Sequence, residues 1–498
     1  MNKKFKCWAK IKPVIILLLY LGILIFLLYF LSDYKKNQTS IKLCIFQTSD
    51  IHGYLETVSS LHPKEVSSLS NVLAKEIEDS GGYDNCLVLD CGDIFQGTLE
   101  ASLTKGKSII YFLNSLRYDL IVLGNHDFDF GYENLITSID NLNADIMAAN
   151  LNADIQSTKE IISWKIYTKN SIRVAVIGMT SPYLKFWLWG KGHEKYNVLS
   201  ISETLKKTLP DILKEKPDLI ILALHHGLYN SKRFPGPDNY LRNIVVEYPE
   251  INIIFGGHTH QIYPGELLYG NSVYVQPGAH AEYFSKVVVL INKSRSKLPV
   301  ITTELIPVHN YDNKGVSLKD LNPKYDEIVG ISKDVINDDG IPGIDSKMSK
   351  LFADSIFMRV KVDAAMCTVI KTGSEIKGEI TSNDIFNICP YEDSIVILSL
   401  NNKELTKIIN EQDVYKRKYR KKLGLYWANP IENRKNIILF FKKKNRVKVA
   451  FSSYDVAGAG NRYPVLKRIA QKKGVRAVDT QITIRDALFN FFENTFKD

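Results

Sequence analysis

Five short segments of the chain place aspartate, asparagine or histidine directly after a run of apolar residues. The most informative is Gly124–Asp129, which follows the apolar run Leu120–Leu123 and offers an amide, an imidazole and carboxylates. These side chains are costly to bury in a core, but they are ligands that divalent metal ions take in proteins. The other four segments carry the same residue types, namely Asp50 with His52, Asp93, His225, and His258 with His260.

The apolar runs before these segments have the length and composition of buried strands. They are Leu43–Phe46, Cys86–Leu89, Leu120–Leu123, Leu219–Leu224 and Ile251–Phe255. Amphipathic stretches between them predict helices, among them Val66–Glu78, Tyr132–Asn141 and Ser202–Glu215. Residues 41 to about 310 therefore predict a mixed α/β domain. Because open α/β sheets bind ligands beyond the carboxyl ends of their strands, the five segments are expected at one rim.

The donors at this rim exceed what one tetrahedral ion needs. A single histidine or aspartate after a strand is more often a hydrogen-bonded turn residue, but five such segments together are not explained in that way. Several imidazoles, two aspartates and an asparagine suit two divalent ions about 3.5–4 Å apart, with a carboxylate between them. The sequence therefore predicts a dinuclear metal centre.

The chain of 498 residues is too long for one core, so two domains are expected. Residues 311–350 predict a linker, in which Leu318–Ile336 could hold a helix. Residues 351–498 contain helical patterns such as Leu351–Arg359 and strand-like runs such as Ala365–Ile370 and Ile437–Phe441. This second, smaller domain is predicted to be α+β.

The N-terminal residues 1–40 predict a cytoplasmic tail, a membrane anchor and a short stalk. Val14–Leu31 carries no charge and, at about 1.5 Å per residue, is long enough to cross a bilayer. Five lysines precede it, which favours a cytoplasmic N-terminus and a catalytic part outside the cytoplasm, at the cell surface or in the periplasm. No small-residue cleavage site follows Leu31, so an uncleaved single-pass anchor is favoured over a cleaved signal peptide.

Charge and cysteine usage argue against two other classes of protein. The formal net charge is +10, but residues 1–40 hold seven lysines against Asp33, so the remainder carries only +4. A nucleic-acid polymer is therefore not an expected partner, and the basic run Lys416–Lys422 is typical of solvated surface. The six cysteines contain no CxxC pair and do not predict a zinc knuckle. The sequence leaves open the question of a disulfide bond from Cys44 to Cys86 or to Cys91.

Taken together, five motifs resemble those of the calcineurin-like metallophosphoesterases. They are Thr48–Gly53, Gly92–Asp93, Gly124–Asp129, His225–Gly227 and Gly257–His260. The chain is most similar to the secreted 5′-nucleotidase / 2′,3′-cyclic-nucleotide 2′-phosphodiesterase family. That resemblance implies an α/β fold with a four-layer α/β/β/α phosphoesterase domain over residues 41–310 and a 5′-nucleotidase-like recognition domain over residues 351–498.

The resemblance also implies a role for each motif residue. Asp50, His52 and His260 would hold a first ion, Asn125, His225 and His258 a second, and Asp93 would bridge both; Mn²⁺, Zn²⁺ or Mg²⁺ are candidates. His126, paired with Asp129, would stabilise the phosphoryl charge or protonate the leaving group. The spacing His-x-Gly selects His225 rather than His226 as the ligand.

The second domain is less similar to the family. Gly378–Thr381, Cys389–Tyr391, Ala459–Pro464 and Ile484–Leu488 fall in the expected order, but the phosphate-binding loop reads Lys371–Lys377 without an arginine. In this family two aromatic side chains stack on the base. The candidate substrate-binding residues are therefore Tyr426, Asn461 and Tyr463, although both tyrosines could instead be core residues.

These expectations combine into a membrane-anchored, extracytoplasmic hydrolase of nucleotides. It would act as a 5′-nucleotidase, a 2′,3′-cyclic-nucleotide 2′-phosphodiesterase or both, with water activated between two ions attacking phosphorus. One alternative keeps this chemistry for a sugar phosphate, a nucleotide sugar or another phosphoester. A remote alternative, an inactive surface binding protein, predicts missing ligands, whereas every ligand position is filled. The oligomeric state is left open.

Overall fold

The computed structural model of the chain gives the secondary structure of most of its length. It describes residues 20–29, 40–58, 66–153, 155–184, 188, 196–228, 240–269, 272–292, 298–308, 327–338, 346–368, 373–418, 425–428, 445–458 and 463–495. The predicted strand Ile437–Phe441 and the candidate residue Asn461 lie outside these ranges.

The first domain is an α/β domain with short connections. Its strands are β1 (Ser40–Thr48), β2 (Glu56–Val58), β3 (Val66–Ser68), β4 (Cys86–Asp90), β5 (Leu120–Val122), β6 (Asp145–Met147), β7 (Leu151–Asn152), β8 (Ile161–Ile162), β9 (Trp164–Lys169), β10 (Ile172–Met179), β11 (Asn197–Val198), β12 (Leu219–Leu224), β13 (Ile253–Phe255), β14 (Ile262–Leu267), β15 (Val273–Pro277), β16 (Tyr283–Asn292) and β17 (Val300–Pro307). Its helices are α1 (Leu69–Asp79), α2 (Leu99–Thr104), α3 (Lys107–Ser115), α4 (Tyr132–Asn141), α5 (Ile201–Lys214) and α6 (Tyr240–Glu247).

Most of these strands form two sheets. One is seven-stranded in the order β17-β16-β1-β4-β5-β6-β8, and the other is six-stranded in the order β14-β15-β13-β12-β10-β9. Neighbouring strands are parallel from β1 through β4 and β5 to β6, and again from β10 through β12 and β13 to β15. The carboxyl ends of the parallel strands therefore share one rim in each sheet.

The two sheets pack face to face with helices on both outer faces. Alternate residues of β1 show why, because Leu43 and Ile45 join the apolar cluster between the sheets, whereas Phe46 joins the cluster beneath the outer helices. On the second sheet, Ile221 faces the first sheet and Leu222 packs against α5 and α6. The predicted mixed α/β domain is confirmed, and its layers follow the order α/β/β/α.

The second domain is built around a five-stranded sheet in the order β22-β19-β23-β21-β24. Its strands are β18 (Ile328–Asn337), β19 (Ala364–Thr368), β20 (Glu375–Thr381), β21 (Ser394–Leu400), β22 (Leu425–Ala428), β23 (Val447–Ser452) and β24 (Arg476–Thr483). Its helices are α7 (Lys347–Arg359), α8 (Ser382–Ile388), α9 (Asn402–Lys418), α10 (Ser453–Ala457), α11 (Pro464–Ala470) and α12 (Ile484–Thr495).

Two predicted helices differ from the structure. The helix allowed within Leu318–Ile336 is wrong for residues 328–336, which form β18 and pair with β20, with Ile331 opposite Glu379. The β-branched residues of this segment favour a strand, and cross-strand pairing outweighs its weak helical pattern. The helix predicted over Val66–Glu78 begins only at Leu69, because its first three residues pair with β2.

The predicted membrane anchor, residues 14–31, lies only partly within the described residues. Residues 20–29 are helical, and their large apolar side chains are exposed. Among the helices that the structure describes, none is both long enough and apolar enough to span a bilayer.

The described cysteines are free thiols. Cys44 on β1 and Cys86 on β4 lie opposite each other in register, and both are buried. Cys91 is also free, so neither of the two disulfides left open by the sequence is formed in this structure.

Candidate dinuclear metal centre

The structure brings all seven predicted ligands to the shared rim of the two sheets. Two groups of side chains have donor atoms within 4.8 Å of one another: Asp50 with His52 and His260, and Asp93 with His225 and His258. The seventh ligand, Asn125, follows β5 and directs its Oδ1 to 3.1 Å from the Nε2 of His225. Each group combines residues from both sheets.

The loops that carry these residues have strained backbones. Five of the seven predicted ligands have positive φ angles, namely Asp50 (52°), His52 (50°), Asp93 (59°), His258 (71°) and His260 (54°). Residues other than glycine seldom adopt this region, and such strain is concentrated at functional sites. Gly92 has a φ of 91°, and a Cβ there would lie 2.5 Å from the backbone nitrogen of Gly124. The sharp turns thus direct the side chains of two loops to one point.

In the first group, hydrogen bonds fix the direction of the donors. The Nδ1–H of His52 donates to the carbonyl oxygen of Gln96 at 3.0 Å, which leaves Nε2 facing the centre. That Nε2 lies 3.1 Å from the Nε2 of His260, which in turn lies 3.5 Å from the Oδ1 of Asp50. The backbone N–H of His258 donates to the Asp50 carboxylate at 2.9 Å. Three donors therefore converge on one point.

The second group is arranged in the same way and contacts the first. The Nδ1–H of His225 donates to the carbonyl oxygen of Cys91 at 2.7 Å, and its Nε2 lies 3.0 Å from the Oδ2 of Asp93. The same Oδ2 lies 3.9 Å from the Nε2 of His52. The His258 ring centroid lies 5.2 Å from that of His225. Asp93 is thus the side chain between the two groups.

The electrostatics put three of the donors, His52, His258 and Asp93, in the form that binds metal. Burial lowers the pKa of His52 and of His258 well below the usual range, so both imidazoles are neutral. Burial raises the pKa of Asp93, but His225 and His126 outweigh it and hold that pKa well below its usual value. Burial lowers the pKa of His225, but Asp93 dominates and raises it to about 10. Metal binding would therefore release a proton from His225.

This donor set fits two divalent ions. Each group offers imidazole nitrogens and one carboxylate, a combination that suits Zn²⁺, Mn²⁺ and related ions rather than the all-oxygen cages of Ca²⁺. His226 belongs to neither group; burial lowers its pKa to about 4, and its ring lies 5.9 Å from that of Tyr183. The two Asp/His groups are consistent with a dinuclear site, as predicted from the sequence.

His126 lies beside the two groups but belongs to neither. Its Nδ1 is 2.7 Å from the Oδ2 of Asp129, and its backbone N–H donates to the Oδ1 of Asp93 at 2.7 Å. Burial lowers the pKa of His126, but the carboxylates of Asp129 and Asp93 outweigh it and raise the pKa to about 9. The pair Asp129–His126 can therefore hold and deliver a proton beside the metal ligands.

Asp127 ties two ligand-bearing loops together and was not predicted from the sequence. Its buried carboxylate accepts hydrogen bonds from the backbone N–H groups of Ile94 and Gly124, each at 2.7 Å, and of Asp93 at 3.1 Å. These bonds fix the loop after β4 against the loop after β5. The only signal in the sequence is its place next to His126, which does not distinguish a ligand from a support.

A cavity of about 240 Å³ opens beside the centre and is shared by both domains. The first domain contributes His126 and several predicted ligands, and the second contributes Thr368, Tyr391, Asp393, Ser452 and Tyr454. The Tyr391 ring stacks on the His126 ring, with centroids 5.2 Å apart and planes inclined by 24°. Neither Tyr391 nor Tyr454 was predicted as a site residue. The signal that could have identified Tyr391 is its place in the motif Cys389–Tyr391.

Of the three candidate substrate residues, only Tyr463 has a side chain that the structure describes, and it is not among those lining this cavity. Tyr463 is fully buried in an apolar cluster with Leu466 and Phe451, which is the core position that the sequence left open. Tyr426 lies on β22, and the structure does not describe its side chain; Asn461 falls outside the described residues. The substrate-binding role of these three residues stays a prediction.

Comparison with known proteins assigns the class. Residues 44–262 match the calcineurin-like phosphoesterase family, and residues 332–468 match the 5′-nucleotidase C-terminal domain. The chain therefore falls in the class of proteins that carry a calcineurin-like phosphoesterase domain. More specifically, it belongs with the calcineurin-like metallophosphoesterases that carry a 5′-nucleotidase C-terminal domain.

Individual relatives agree with this assignment. The chain is 26% identical over 335 residues to a 5′-nucleotidase from the venom of Naja atra, covering 56% of this chain and 59% of the relative. It is 23% identical over 336 residues to a 2′,3′-cyclic-nucleotide 2′-phosphodiesterase/3′-nucleotidase of Salmonella typhimurium, covering 60% and 50%. A Thermus thermophilus 5′-nucleotidase precursor shares the fold with a TM-score of 0.65 at 18% identity, covering 91% of this chain and 96% of that one. The alignments thus span only about half of these two curated relatives.

The position of Asp93 between the two groups predicts how metal content responds to substitution. Asp93→Ala should lose both ions, because each group loses the shared carboxylate. His126→Ala should retain two ions per chain, since its side chain is in neither group. Inductively coupled plasma mass spectrometry of protein dialysed after Mn²⁺ loading measures both. A His126→Ala protein that emerged without metal would show that the role assigned to His126 is wrong.

The Asp129–His126 pair predicts a pH effect in the metal-free protein. Asp129→Asn should lower the His126 pKa from about 9, because the opposing carboxylate charge is lost. Histidine-selective NMR titration measures that pKa directly. A pKa raised in the folded state stabilises the fold fully below the unfolded value of 6.5, and this contribution disappears as the pH rises through about 9.

The pair should therefore make urea unfolding pH-dependent between these values, and Asp129→Asn should reduce that dependence, while Asp93 still raises the His126 pKa. Asp211→Asn, which replaces an exposed carboxylate paired with Lys214 on α5, serves as the control and should leave the His126 titration unchanged. An unaltered His126 titration in Asp129→Asn would contradict the assignment.

Proposed function

We propose that this protein hydrolyses phosphoesters of nucleotides, as a 5′-nucleotidase, a 2′,3′-cyclic-nucleotide 2′-phosphodiesterase or both. The observation that carries the proposal is the cavity next to the two Asp/His groups, which the second domain closes with two tyrosines. A phosphoryl group at the rim would place its leaving group against the second domain. The relatives described above act on nucleotides according to their names, which supports the same substrate class here.

Each group in the centre has a defined task in this reaction. Bound divalent ions would lower the pKa of a water molecule and neutralise charge on the phosphoryl oxygens. The residues proposed to hold them are Asp50, His52 and His260 for one ion, Asn125, His225 and His258 for the other, and Asp93 for both. The fixed Nδ1–H bonds of His52 and His225 keep these rings oriented, so little reorganisation is needed when the phosphoester binds.

His126 is proposed as the general acid or as the donor that stabilises the phosphoryl charge. Asp129 accepts the hydrogen bond from Nδ1, and the N–H···Oδ1 bond to Asp93 fixes the backbone of His126 beside the centre. Bound divalent ions would lower the raised pKa of His126 toward neutrality, where proton transfer to a leaving oxygen is most effective. Asp129→Ala should therefore weaken the reaction less than loss of His126 itself.

The second domain is proposed to hold the nucleoside. Tyr391 and Tyr454 offer aromatic faces for a base, and stacking on an aromatic ring is favourable for any base. Asp393 and Ser452 offer hydrogen-bonding groups for sugar hydroxyls. Tyr426, Asn461 and Tyr463 stay as further candidates, for which the motif order provides the support.

A second candidate keeps the chemistry and changes the leaving group to a sugar phosphate, a nucleotide sugar or another phosphoester. The feature that favours it is the loop Lys371–Lys377, which lacks the arginine of the family pattern. A binding protein without activity is disfavoured, because each predicted ligand is present and positioned at the rim.

A substrate panel with full-length protein in mild detergent separates these candidates. With Mn²⁺ present, we expect hydrolysis of AMP and 2′,3′-cyclic AMP with kcat/KM at least about tenfold above that for p-nitrophenyl phosphate, because the second domain contributes binding only to nucleosides. Phosphate release quantifies hydrolysis of AMP and p-nitrophenyl phosphate, chromatographic detection of 3′-AMP quantifies opening of 2′,3′-cyclic AMP, and His126→Ala is the inactive control. Activity on p-nitrophenyl phosphate alone would favour the second candidate, and no activity with full metal content would favour the binding protein.

We also propose that residues 14–31 anchor the protein in a membrane, with the N-terminus in the cytoplasm and both domains outside. The uncharged run and the lysines before it support this proposal. The catalytic part would then act on nucleotides at the cell surface or in the periplasm.

Protease treatment of intact cells or spheroplasts tests this topology. An epitope at the C-terminus should be digested, whereas one at the N-terminus should be protected, and carbonate washing should leave the chain in the membrane fraction. Protection of both epitopes would place the domains in the cytoplasm and contradict the proposal. Release of the shortened chain into the medium would instead indicate a cleaved signal peptide.

A further inference from the structure

One arginine of the second domain holds the segment that faces the catalytic histidine. Arg485, near the start of α12, is only 4% exposed. Its Nε donates to the carbonyl oxygen of Cys389 at 3.0 Å, and its Nη2 to that of Tyr391 at 3.2 Å. The guanidinium also lies over the Phe386 ring, 3.8 Å from the centroid. A buried arginine with this many defined contacts is a rigid clamp.

The same arginine reaches the boundary with the first domain. Its Nη1 pairs with the carboxylate of Glu392 and lies 3.4 Å from the Oγ of Ser102 on α2. The Ser102 hydroxyl donates to Glu392 at 3.0 Å, so the three side chains form a closed set that joins the domains. Both charged groups are almost fully buried, which strengthens their attraction relative to a surface pair.

A second link joins this segment to a metal ligand. The Gln96 side-chain amide donates to the carbonyl oxygen of Pro390, and the Gln96 backbone carbonyl accepts the Nδ1–H of His52. The segment Cys389–Asp393 is thus attached on one side to Arg485 and Gln96. Its other side presents Tyr391 and Asp393 to the cavity, with Tyr391 against His126.

We propose that Arg485, through Glu392 and Ser102, is the positioning residue that sets the affinity of this site for the leaving group. It touches neither the cavity nor the predicted metal ligands; it acts by fixing the distance and tilt of the Cys389–Asp393 segment relative to the first domain. The inference rests on the proposed function in one respect, that the leaving group binds between this segment and the centre. Displacements of about 1 Å in such a segment cost up to about 100-fold in activity.

The test compares substrates with and without a nucleoside. Arg485→Lys keeps the charge but cannot make the forked set of bonds. Ser102→Ala removes the contacts of α2 with Glu392 and Arg485 and leaves the bond from Gln96 to Pro390 in place. Both variants should raise the KM for AMP and the dissociation constant of adenosine, by about 10-fold and about threefold respectively. The kcat/KM for p-nitrophenyl phosphate should fall much less than that for AMP, because neither variant replaces a metal ligand or His126 and p-nitrophenol carries no nucleoside.

The controls separate positioning from stability. Ser115→Ala removes a hydroxyl that bonds only within α3, and it should change none of these values. Isothermal titration calorimetry with adenosine gives a readout independent of turnover, and thermal unfolding with metal analysis checks that each variant is intact. If Arg485→Lys does not fold, Ser102→Ala decides the question.

Unchanged adenosine affinity and AMP kinetics in the folded variants, or equal losses on AMP and p-nitrophenyl phosphate, would overturn the inference alone. A wild-type protein that cleaves p-nitrophenyl phosphate but neither binds adenosine nor cleaves AMP would overturn the proposed function, and this inference with it. A selective loss of nucleoside binding supports both.

Discussion

The shared carboxylate of Asp93 is the contact on which the rest of the site depends. It lies within 3.0 Å of a histidine from the second sheet and within 3.9 Å of one from the first. For this to happen, the rims of two separate sheets must meet at a few ångströms. Small residues allow that approach: a Cβ at Gly178 on β10 would lie 2.3 Å from the Cβ of Met147 on β6, between the two sheets.

The close approach of the two rims also makes the folded site energetically unfavourable when no ions are bound. Five predicted ligands have left-handed backbones, and buried carboxylates and imidazoles face one another with little water to screen them. Divalent cations would offset that cost, because they would attract the same donors that otherwise compete for protons. The hydrogen bonds of His52 and His225 to backbone carbonyls would hold the two rings in orientation to bind them.

The sequence predicts the part of the site that depends on local order. Asp50, Asp93 and His258 each follow an apolar strand, and parallel strands end at one rim, so their meeting could be expected without coordinates. The contact of Gln96 with Pro390 joins residues 294 positions apart, and no periodic pattern in the sequence predicts it. The helix allowed within 318–336 is wrong over residues 328–336 for a related reason, since Ile331 pairs with Glu379 on β20, 48 positions later.

The tyrosines of the second domain show the same limit on what the sequence can predict. Tyr463 stands in a motif that resembles a substrate loop, yet its side chain is in the core, whereas Tyr391 faces the cavity. Residue type and motif order do not distinguish a tyrosine in the core from one that faces the cavity, because each position depends on how the second domain packs. What the fold adds to the sequence is therefore the arrangement of the domain boundary, where Arg485 and Glu392 meet Ser102.

The most direct test of the central claim is X-ray absorption spectroscopy of the Mn²⁺-loaded protein. A dinuclear centre bridged by Asp93 should show mixed nitrogen and oxygen ligation with a metal–metal scattering feature at about 3.5–4 Å, which disappears in Asp93→Ala. A single ion per chain, or two ions without such a feature, would show that the two Asp/His groups do not form one centre.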